Sequence, residues 1–441
     1  MPALIPPAPS TSAGGSVDPA PAAARGYAWL LICLQMIAQV DRAVAAAFAP
    51  AIKADLMLSD AQIGGLQGAP FAVGYIAAAL WTARARGTVS NPWRWLAGAV
   101  TLWTAGSVAF ALSDSLLQLA LARLLIGAGA AAFAPVALAL LAAGQPRLAG
   151  VATPGVFSAA SASGRNVGIL ISGTVLMLVS SWPVFAIAEW RTTILIMLVA
   201  NPVLILILLR RARGAAQPVD VQTFAGLRAL GRWLRMTALP MAAFALTAIA
   251  GIMMVQASGA WAPSLVAREL DLGTAHAGAL TGALGLAAVI VGHLSAGRLM
   301  RPGGVMRAPA LPLALAACVA GLAATAIVLA PPGPLLLISL MGVIAASGFA
   351  AAAALISLHQ LSPPDLLRPS SAVFLALVTL GGTALGPWAT GLASDLIDPG
   401  GGGLALALLS VVAPCAILMV LLCLASARAW RDVAAASGRS A

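Results

Sequence analysis

The chain has 441 residues, of which 61% are apolar and 8% are charged, and its net charge is +11. Soluble globular proteins are about 45–50% apolar and about 25% charged, so this chain has too little polar surface to cover a water-soluble body of its size. The composition argues against a soluble enzyme, a nucleic-acid-binding protein and a disordered protein, and it predicts an integral membrane protein.

The N-terminal segment, 1–26, differs from the rest of the chain. It is rich in Pro, Ala, Ser and Gly and contains almost no charge. A signal peptide has a basic start followed by an apolar stretch, and this segment lacks that layout. We predict a disordered tail over 1–26.

Twelve apolar stretches follow this tail. A membrane-spanning helix needs about 20 mostly apolar residues. The chain is therefore predicted to be an all-α membrane protein with twelve transmembrane helices, at 27–50, 62–83, 93–112, 116–142, 153–180, 192–210, 237–263, 275–299, 308–330, 334–360, 371–394 and 402–427.

The turn before the second span contains a helix-capping pattern. Ser59 precedes Gln62 by three residues, and in such a pair each side chain bonds the backbone N–H of the other residue. The pattern predicts that the second helix begins at this turn.

The longest connection separates two sets of six spans. We predict an N-terminal six-helix bundle over 27–210, a cytoplasmic basic linker over 211–235, a C-terminal six-helix bundle over 236–428 and a cytoplasmic tail over 429–441. Apolar residues in the linker recur at helical spacing with arginines on another face, which is typical of a short helix on the membrane surface. An ordinary basic linker fits the same residues, which are Phe224, Leu227, Leu230, Leu234, Arg228, Arg232 and Arg235.

The positions of the basic residues account for the net charge. With twelve spans, 18 of the 24 Lys and Arg residues fall on the side of the two termini, and three fall on the opposite side. Cytoplasmic loops carry an excess of Lys and Arg. The distribution predicts a multi-pass protein of the bacterial inner membrane with both termini in the cytoplasm, in contact with the lipid bilayer and not with nucleic acid.

Apart from arginines at the ends of spans, four charged residues fall inside the predicted spans. Asp41 and Arg42 lie in the first span, Arg123 in the fourth and Arg165 in the fifth. A charge in the hydrocarbon is costly, so it usually faces a cavity or a partner. Three arginines against one aspartate predict that the protein binds an anionic small molecule or the anionic group of an amphiphile. We expect Arg123, Arg165 and the adjacent Asn166 to contact this substrate.

A polar stripe runs along the first span. Gln35, Gln39 and Arg42 are spaced four and three residues apart, so they share one helical face. The stripe favours a cavity lining in which Gln35 and Gln39 contact the substrate. Glutamines that join neighbouring helices by hydrogen bonds would produce the same pattern.

Asp41 is the one acid within the predicted spans. Burial and a nearby arginine act in opposite directions on the proton affinity of a carboxyl group. This balance suits a residue that binds and releases a proton during transport, with Arg42 as its partner. A permanent ion pair between Asp41 and an arginine, with a structural role alone, fits equally well.

The sequence predicts no cofactor and no metal site. The four cysteines and three histidines are scattered without metal-ligand spacing. The phosphate-binding pattern GxxxxGK[ST] is missing, and no nucleophile stands beside a candidate base. We therefore expect neither an enzyme nor a built-in ATP motor.

Several segments resemble the major facilitator superfamily, and within it the spinster-like transporters. Asp41-Arg42 with 50–64 resembles the first-span region of that subgroup, and Arg123 with 124–135 resembles the fourth-span motif of the superfamily. Further segments that look like family motifs are Trp190-Arg191, Trp261-Ala262-Pro263, Ser362-Pro363-Pro364 to Arg368, and 386–395.

The resemblance implies alternating access, in which two bundles rock about a central site. It assigns proton coupling and gating to Asp41 and Arg42, and it matches Arg123 to the family's fourth-span arginine. Two positions depart from the family pattern. Thr88 stands where the loop after the second span normally has aspartate, and Ala130 stands where spinster-like proteins usually have glutamate.

We therefore predict a monomeric, proton-coupled secondary transporter for a small organic anion or an anionic amphiphile. The two departures leave alternatives open. The protein could be an uncoupled facilitator, or a receptor or sensor that uses the same fold without transport.

Overall fold

The computed structural model describes residues 22–84, 88–143, 154–182, 187–214, 218–221, 226–301, 306, 308–398 and 402–437. These residues form sixteen α-helices, a 3-10 turn, a π-helical turn and two short β-strands. The predicted all-α architecture is confirmed.

The first half of the chain forms the N-terminal bundle. Its helices are α1 (Ala22–Ala47), α2 (Ala49–Leu56), α3 (Asp60–Arg84), α4 (Pro92–Ala111), α5 (Leu116–Ala143), α6 (Pro154–Ser181), α7 (Glu189–Met197) and α8 (Ala200–Arg211). The predicted capping pair is confirmed, since Ser59 N donates to Gln62 Oε1 at 2.9 Å and Gln62 N donates to Ser59 Oγ at 3.2 Å.

The second half forms the C-terminal bundle. After α9 (Leu227–Met236), its helices are α10 (Ala238–Glu269), α11 (Thr274–Leu299), α12 (Ala310–Leu329), α13 (Pro334–Leu361), α14 (Leu367–Val378), α15 (Ala384–Ile397) and α16 (Leu404–Ala436). The 3-10 turn Pro364–Leu366 precedes α14, and the π-helical turn Thr379–Thr383 joins α14 to α15.

Eleven helical segments of the described residues are long and apolar enough to cross a membrane. They correspond to every predicted span except the third. The third span is the 20-residue helix α4, whose hydropathy is lowered by Arg94 and three tryptophans. Because α4 packs along α5 and α8 inside the bundle, it completes the twelve-helix arrangement.

The two bundles meet mainly along three pairs of helices: α3 with α15, α6 with α11, and α1 with α10. Glycines permit this close approach. A Cβ added to Gly68 of α3 would lie 2.1 Å from the carbonyl oxygen of Thr383, and one added to Gly282 of α11 would lie 2.2 Å from the backbone N of Leu170. Small residues at such interfaces let helix backbones pack directly against each other.

Both ends of the helical region extend beyond the predicted spans. Helix α1 begins at Ala22, before the predicted start at 27, and α16 continues to Ala436, so the predicted tail over 429–441 is helical up to that residue. The extension of α16 has a clear cause. Trp430 is fully buried, and its Nε1 donates to the carbonyl of Pro240 at 2.8 Å. This contact holds the end of α16 against α10.

The linker between the bundles contains both a strand and a helix. Strand β2 (Val219–Asp220) pairs antiparallel with β1 (Thr88–Val89) of the loop after α3. The short helix predicted in the linker is confirmed as α9, in which Leu230 is buried while Arg228, Arg232 and Arg235 are exposed. Phe224, predicted to lie on its apolar face, is outside the described residues.

Candidate functional site

A small cavity lies between the two bundles. The N-terminal bundle contributes Arg42 from α1, Gln67 from α3, Arg123 from α5 and Arg165 from α6, and the C-terminal bundle contributes Gln256 from α10 and Thr383 from the π-helical turn. The other lining residues are alanines and a proline. Three arginines, and no carboxylate, therefore line this cavity.

Arg165 connects the bundles across this cavity. Its Nη1 donates to Gln256 Oε1, and Gln256 Nε2 donates to Thr383 Oγ1 at 2.8 Å. The π-helical turn places Thr383 at the cavity wall, and such turns frequently occur at functional sites. Arg165 is thus held by a neutral amide, which leaves its charge uncompensated by any ion pair within the described residues.

Arg123 is the most buried of the three arginines, with 2% of its surface exposed. Its Nη1 donates to the carbonyl of Arg42 at 3.0 Å, and its Nη2 donates to the carbonyl of Gln67 at 2.7 Å. Its Nε is buried without a hydrogen-bond partner. Arg123 is therefore fixed between α1, α3 and α5 by backbone carbonyls, and the structure shows it buried inside the protein.

Arg42 lies over an aromatic ring. Its guanidinium carbon is 4.2 Å from the ring centroid of Phe71, which stacks in turn on Tyr75 at 6.1 Å. The guanidinium of Arg123 is 5.7 Å from the same ring. A ring face partly stabilises a cation, but it does not neutralise one, so the cavity keeps its excess positive charge.

Asp41 faces a different cavity from its neighbour Arg42. It is 5% exposed, and its Oδ2 accepts a hydrogen bond from Asn201 Nδ2 of α8 at 3.1 Å. The same Nδ2 lies 3.0 Å from Thr104 Oγ1 of α4. No ion pair joins Asp41 to an arginine within the described residues, so the structure does not bring the predicted Asp41–Arg42 pair together.

The cavity at Asp41 lies inside the N-terminal bundle. Its polar lining consists of Asp41, Ser107 and Arg123, and the rest of its wall is apolar. Ser107 is 4% exposed, and its hydroxyl has no hydrogen-bond partner in the structure. Arg123 lines this cavity and the central one alike, so the wall around the buried acid and the wall around the central cavity have this residue in common.

The other predicted substrate contacts lie between helices. Gln35 is buried, and its Nε2 donates to Ser161 Oγ of α6. Gln39 packs on α6 at Gly164, and Asn166 packs on α11 at Gly285. None of the three is among the residues that line the central cavity. For Gln35 this placement agrees with the alternative in which glutamine joins neighbouring helices.

The sequence prediction missed the cavity residues Gln67, Gln256, Thr383 and Ser107, and it also missed Asn201, which bonds Asp41. The first two and Asn201 are polar residues within apolar stretches and are visible as such in the sequence, but none of them belongs to a polar stripe like that of Gln35 and Gln39. Thr383 has no comparable signal, because its position depends on the π-helical turn.

The two departures from the family pattern occupy ordinary structural positions. Thr88 pairs in strand register with Asp220 of the linker, and Ala130 packs against an apolar cluster of the N-terminal bundle.

An ionic network closes one end of the molecule, where α3 begins and α10 and α15 end; we call this end the closed face. Arg268 of α10 donates to both carboxylate oxygens of Asp60, each at 2.7 Å. Lys53 and Ser394 also bond this carboxylate. The carboxylate of Asp395 in α15 also accepts hydrogen bonds from the N-terminal bundle, from the backbone N–H groups of Asp60 at 3.0 Å and Ala61 at 2.8 Å.

This network joins the two bundles to each other. A further hydrogen bond between the bundles lies at the central cavity, from Arg165 to Gln256. The closed face thus carries ionic contacts that hold the bundles together. The Trp190-Arg191 motif makes its contacts within the N-terminal bundle, where both side chains donate hydrogen bonds to Asp55.

Two helical bundles, a charged cavity between them and an ionic closure at one face define the architecture of a secondary transporter. The sequence profile of the Major Facilitator Superfamily matches residues 31–387, and the chain belongs to this family. Members of the family are transporters and not enzymes.

Solved structures with a similar fold include two transporters, one of them in two conformations. A bacterial homolog of the human lysosomal transporter Spinster, in its inward-facing and unoccupied conformation, has 19% sequence identity and a TM-score of 0.71, over 94% of this chain and 98% of that one. The inward-facing and occupied conformation has 20% identity and a TM-score of 0.69, over 95% and 97%. A D-xylose–proton symporter has 14% identity and a TM-score of 0.62, over 90% and 97%.

These likenesses confirm the fold that the sequence predicted, including its similarity to a Spinster homolog. No curated protein sequence matches the chain.

Proposed function

We propose that the protein is a proton-coupled secondary transporter that moves a small organic anion, or the anionic group of an amphiphile, across the inner membrane. The observation that carries this proposal is the central cavity, where Arg42, Arg123 and Arg165 converge from three helices without a carboxylate among the lining residues.

The charge of the cavity supports an anion as the substrate. Removing an arginine from water is costly unless an opposite charge and hydrogen bonds compensate it. Within the described residues, the partners of these three arginines are backbone carbonyls, a side-chain amide and an aromatic ring. All of these partners are uncharged. A carboxylate or phosphate group would supply the missing negative charge and accept bidentate hydrogen bonds from a guanidinium.

The position of Arg123 supports coupling between a proton and this anion. When Asp41 is charged, its negative charge partly compensates Arg123 across the shared wall of the two cavities. When Asp41 takes up a proton, Arg123 loses that compensation and attracts an anion more strongly. Proton binding and anion binding then favour each other, and by linkage the effect is reciprocal. This sign corresponds to symport.

The orientation of the protein follows from its basic residues. With the termini in the cytoplasm, as the excess of Lys and Arg on their side indicates, the closed face lies on the periplasmic side. The structure then represents a state that is closed to the periplasm, and the substrate would leave this state toward the cytoplasm.

The anion site can be tested with the purified protein and a panel of ligands. Thermal stability would be measured with mono- and dicarboxylates, phosphate monoesters and lysophospholipids, each beside a neutral analogue. We expect anions to stabilise the wild-type protein and to lose this effect in Arg165→Gln. The control is Arg298→Gln, at an exposed position at the end of α11. Equal stabilisation of wild type and Arg165→Gln by every anion would contradict the proposed site.

Coupling can be tested in proteoliposomes with an anion that this panel identifies. We expect an imposed pH gradient to drive uptake by the wild type and to have no effect in Asp41→Asn, while exchange of labelled for unlabelled anion persists. Uptake driven by pH in Asp41→Asn would refute the role of Asp41. Binding without any flux in the wild type would favour the receptor alternative, and flux that ignores pH would favour the facilitator.

A further inference from the structure

A third concave site lies on the outer surface of the N-terminal bundle, between α4 and α8. Its floor consists of small side chains of α4, at Gly98, Thr101 and Ala105, and its wall includes Ile205 and Leu209 of α8. Arg94 stands at one end of the groove. It is separate from the two cavities described above.

The groove has the length of one leaflet. Residues 94 to 105 of α4 cover about 16 Å at about 1.5 Å per residue, and half of a typical hydrocarbon core is about 15 Å thick. Gly98 is exposed, and a Cβ added there would meet no atom within 4 Å. A chain of methylene groups could therefore lie along α4 without moving the protein.

The mouth of the groove is strongly basic. Besides Arg94, the end of α8 and the segment after it carry Arg210, Arg211 and Arg213, all of them exposed. The guanidinium of Arg211 lies 5.4 Å from the ring of Trp93, which is a residue type that favours the membrane interface. None of these arginines forms an ion pair within the described residues.

We propose that this groove binds an anionic phospholipid, with one acyl chain between α4 and α8 and the phosphate group at the arginines. An apolar trough that ends at a cationic cluster matches the two parts of such a molecule, whereas a soluble anion would use the cluster alone. Basic pockets between transmembrane helices on the cytoplasmic side are known to bind anionic head groups. A second copy of the chain would bring the same positive charges together, so it fits less well.

The site adjoins the polar contacts of Asp41. One turn along α4 from Thr101, Thr104 bonds Asn201 of α8, and Asn201 bonds Asp41. A lipid held between α4 and α8 would therefore stabilise the helix pair that carries the partners of this acid.

Native mass spectrometry of the full chain can test the proposal, with phosphatidylglycerol and phosphatidylcholine as competing probes. We expect the wild type to retain phosphatidylglycerol preferentially and Gly98→Leu, which fills the groove, to lose this preference. Gly297→Leu is the matched control, because Gly297 is also exposed near the end of a helix and its added Cβ also meets no atom within 4 Å.

The head-group contact is tested separately with Arg94→Gln. We expect this variant to retain roughly tenfold less phosphatidylglycerol, the factor expected for the loss of one charge-assisted hydrogen bond, while Arg298→Gln behaves like the wild type. Equal retention of both lipids by the wild type, or unchanged retention in Gly98→Leu and Arg94→Gln, would overturn the proposal. A dimer that Gly98→Leu dissociates would also overturn it, because the groove would then bind a second copy of the chain.

Discussion

The ionic network of the closed face leads to a quantitative prediction for Asp60→Asn. In the structure the Asp60 side chain is 1% exposed, and it accepts hydrogen bonds from Arg268, Lys53 and Ser394. The substitution removes the negative charge between two cations and replaces one acceptor oxygen with an NH₂ donor. The contact between the bundles should therefore weaken, and the closed face should open more often.

The size of the effect follows from burial. A hydrogen bond to a charged group contributes about 1.5–3 kcal/mol, and removing one partner of a fully buried ion pair costs about 3–5 kcal/mol. Arg268 and Lys53 are 23% and 28% exposed, so water can solvate them once Asp60 is neutral. We therefore expect a loss of about 2–3 kcal/mol, which changes the ratio of closed to open molecules roughly 30- to 150-fold.

Distance measurements between spin labels would detect this change. Leu112 at the end of α4 and Leu396 near the end of α15 are exposed side chains at the closed face, one in each bundle. Both would be replaced by labelled cysteines, with the exposed Cys33 and Cys318 changed to serine. The distribution of distances should move toward larger values in Asp60→Asn.

Asp114→Asn serves as the control. Asp114 lies at the same face and pairs with Arg191, but its side chain is 82% exposed and both residues belong to the N-terminal bundle. An unchanged distribution in Asp60→Asn, or an equal shift in Asp114→Asn, would refute the argument that this network holds the bundles together.

Three further predictions concern packing and buried polar contacts. Gly68→Ala would place a Cβ 2.1 Å from the carbonyl oxygen of Thr383 in the other bundle, so the bundles should separate and the same spin labels should move apart. Gly65→Ala is the control, because its added Cβ has its nearest contact at 3.5 Å and should leave the labels in place. Asn201→Leu leaves the Asp41 carboxylate without its hydrogen-bond donor, so it should cost about 1–3 kcal/mol of stability and lower the apparent Tm. Adding Asp41→Leu to this variant should recover part of the loss. If the double variant recovers nothing, the pairing of Asn201 with Asp41 is contradicted. Trp430→Ala removes a fully buried side chain and should cost about 3–5 kcal/mol, while Trp182→Ala, at a 79% exposed position, should leave the apparent Tm unchanged.

The sequence determined the membrane character, the number of spans and the division into two halves. These follow from constraints that act locally along the chain. A segment in hydrocarbon must bond its own backbone groups and must be long enough to cross. The capping pair Ser59 and Gln62 belongs to the same class, because both partners lie within one turn. The rare charges within spans were also visible, and three of them do line one cavity.

The tertiary structure decided which way each polar side chain faces. In a soluble helix the apolar stripe marks the buried side, but in a membrane both lipid and protein interior are apolar, so this contrast is lost. Asp41 and Arg42 are neighbours in the chain, yet one faces α8 and the other the central cavity. The polar partners of the charged residues come from helices that are distant in the chain, namely Asn201, Gln256, Thr383 and Arg268. Only the packing of the helices brings these partners close to Asp41, Arg165 and Asp60.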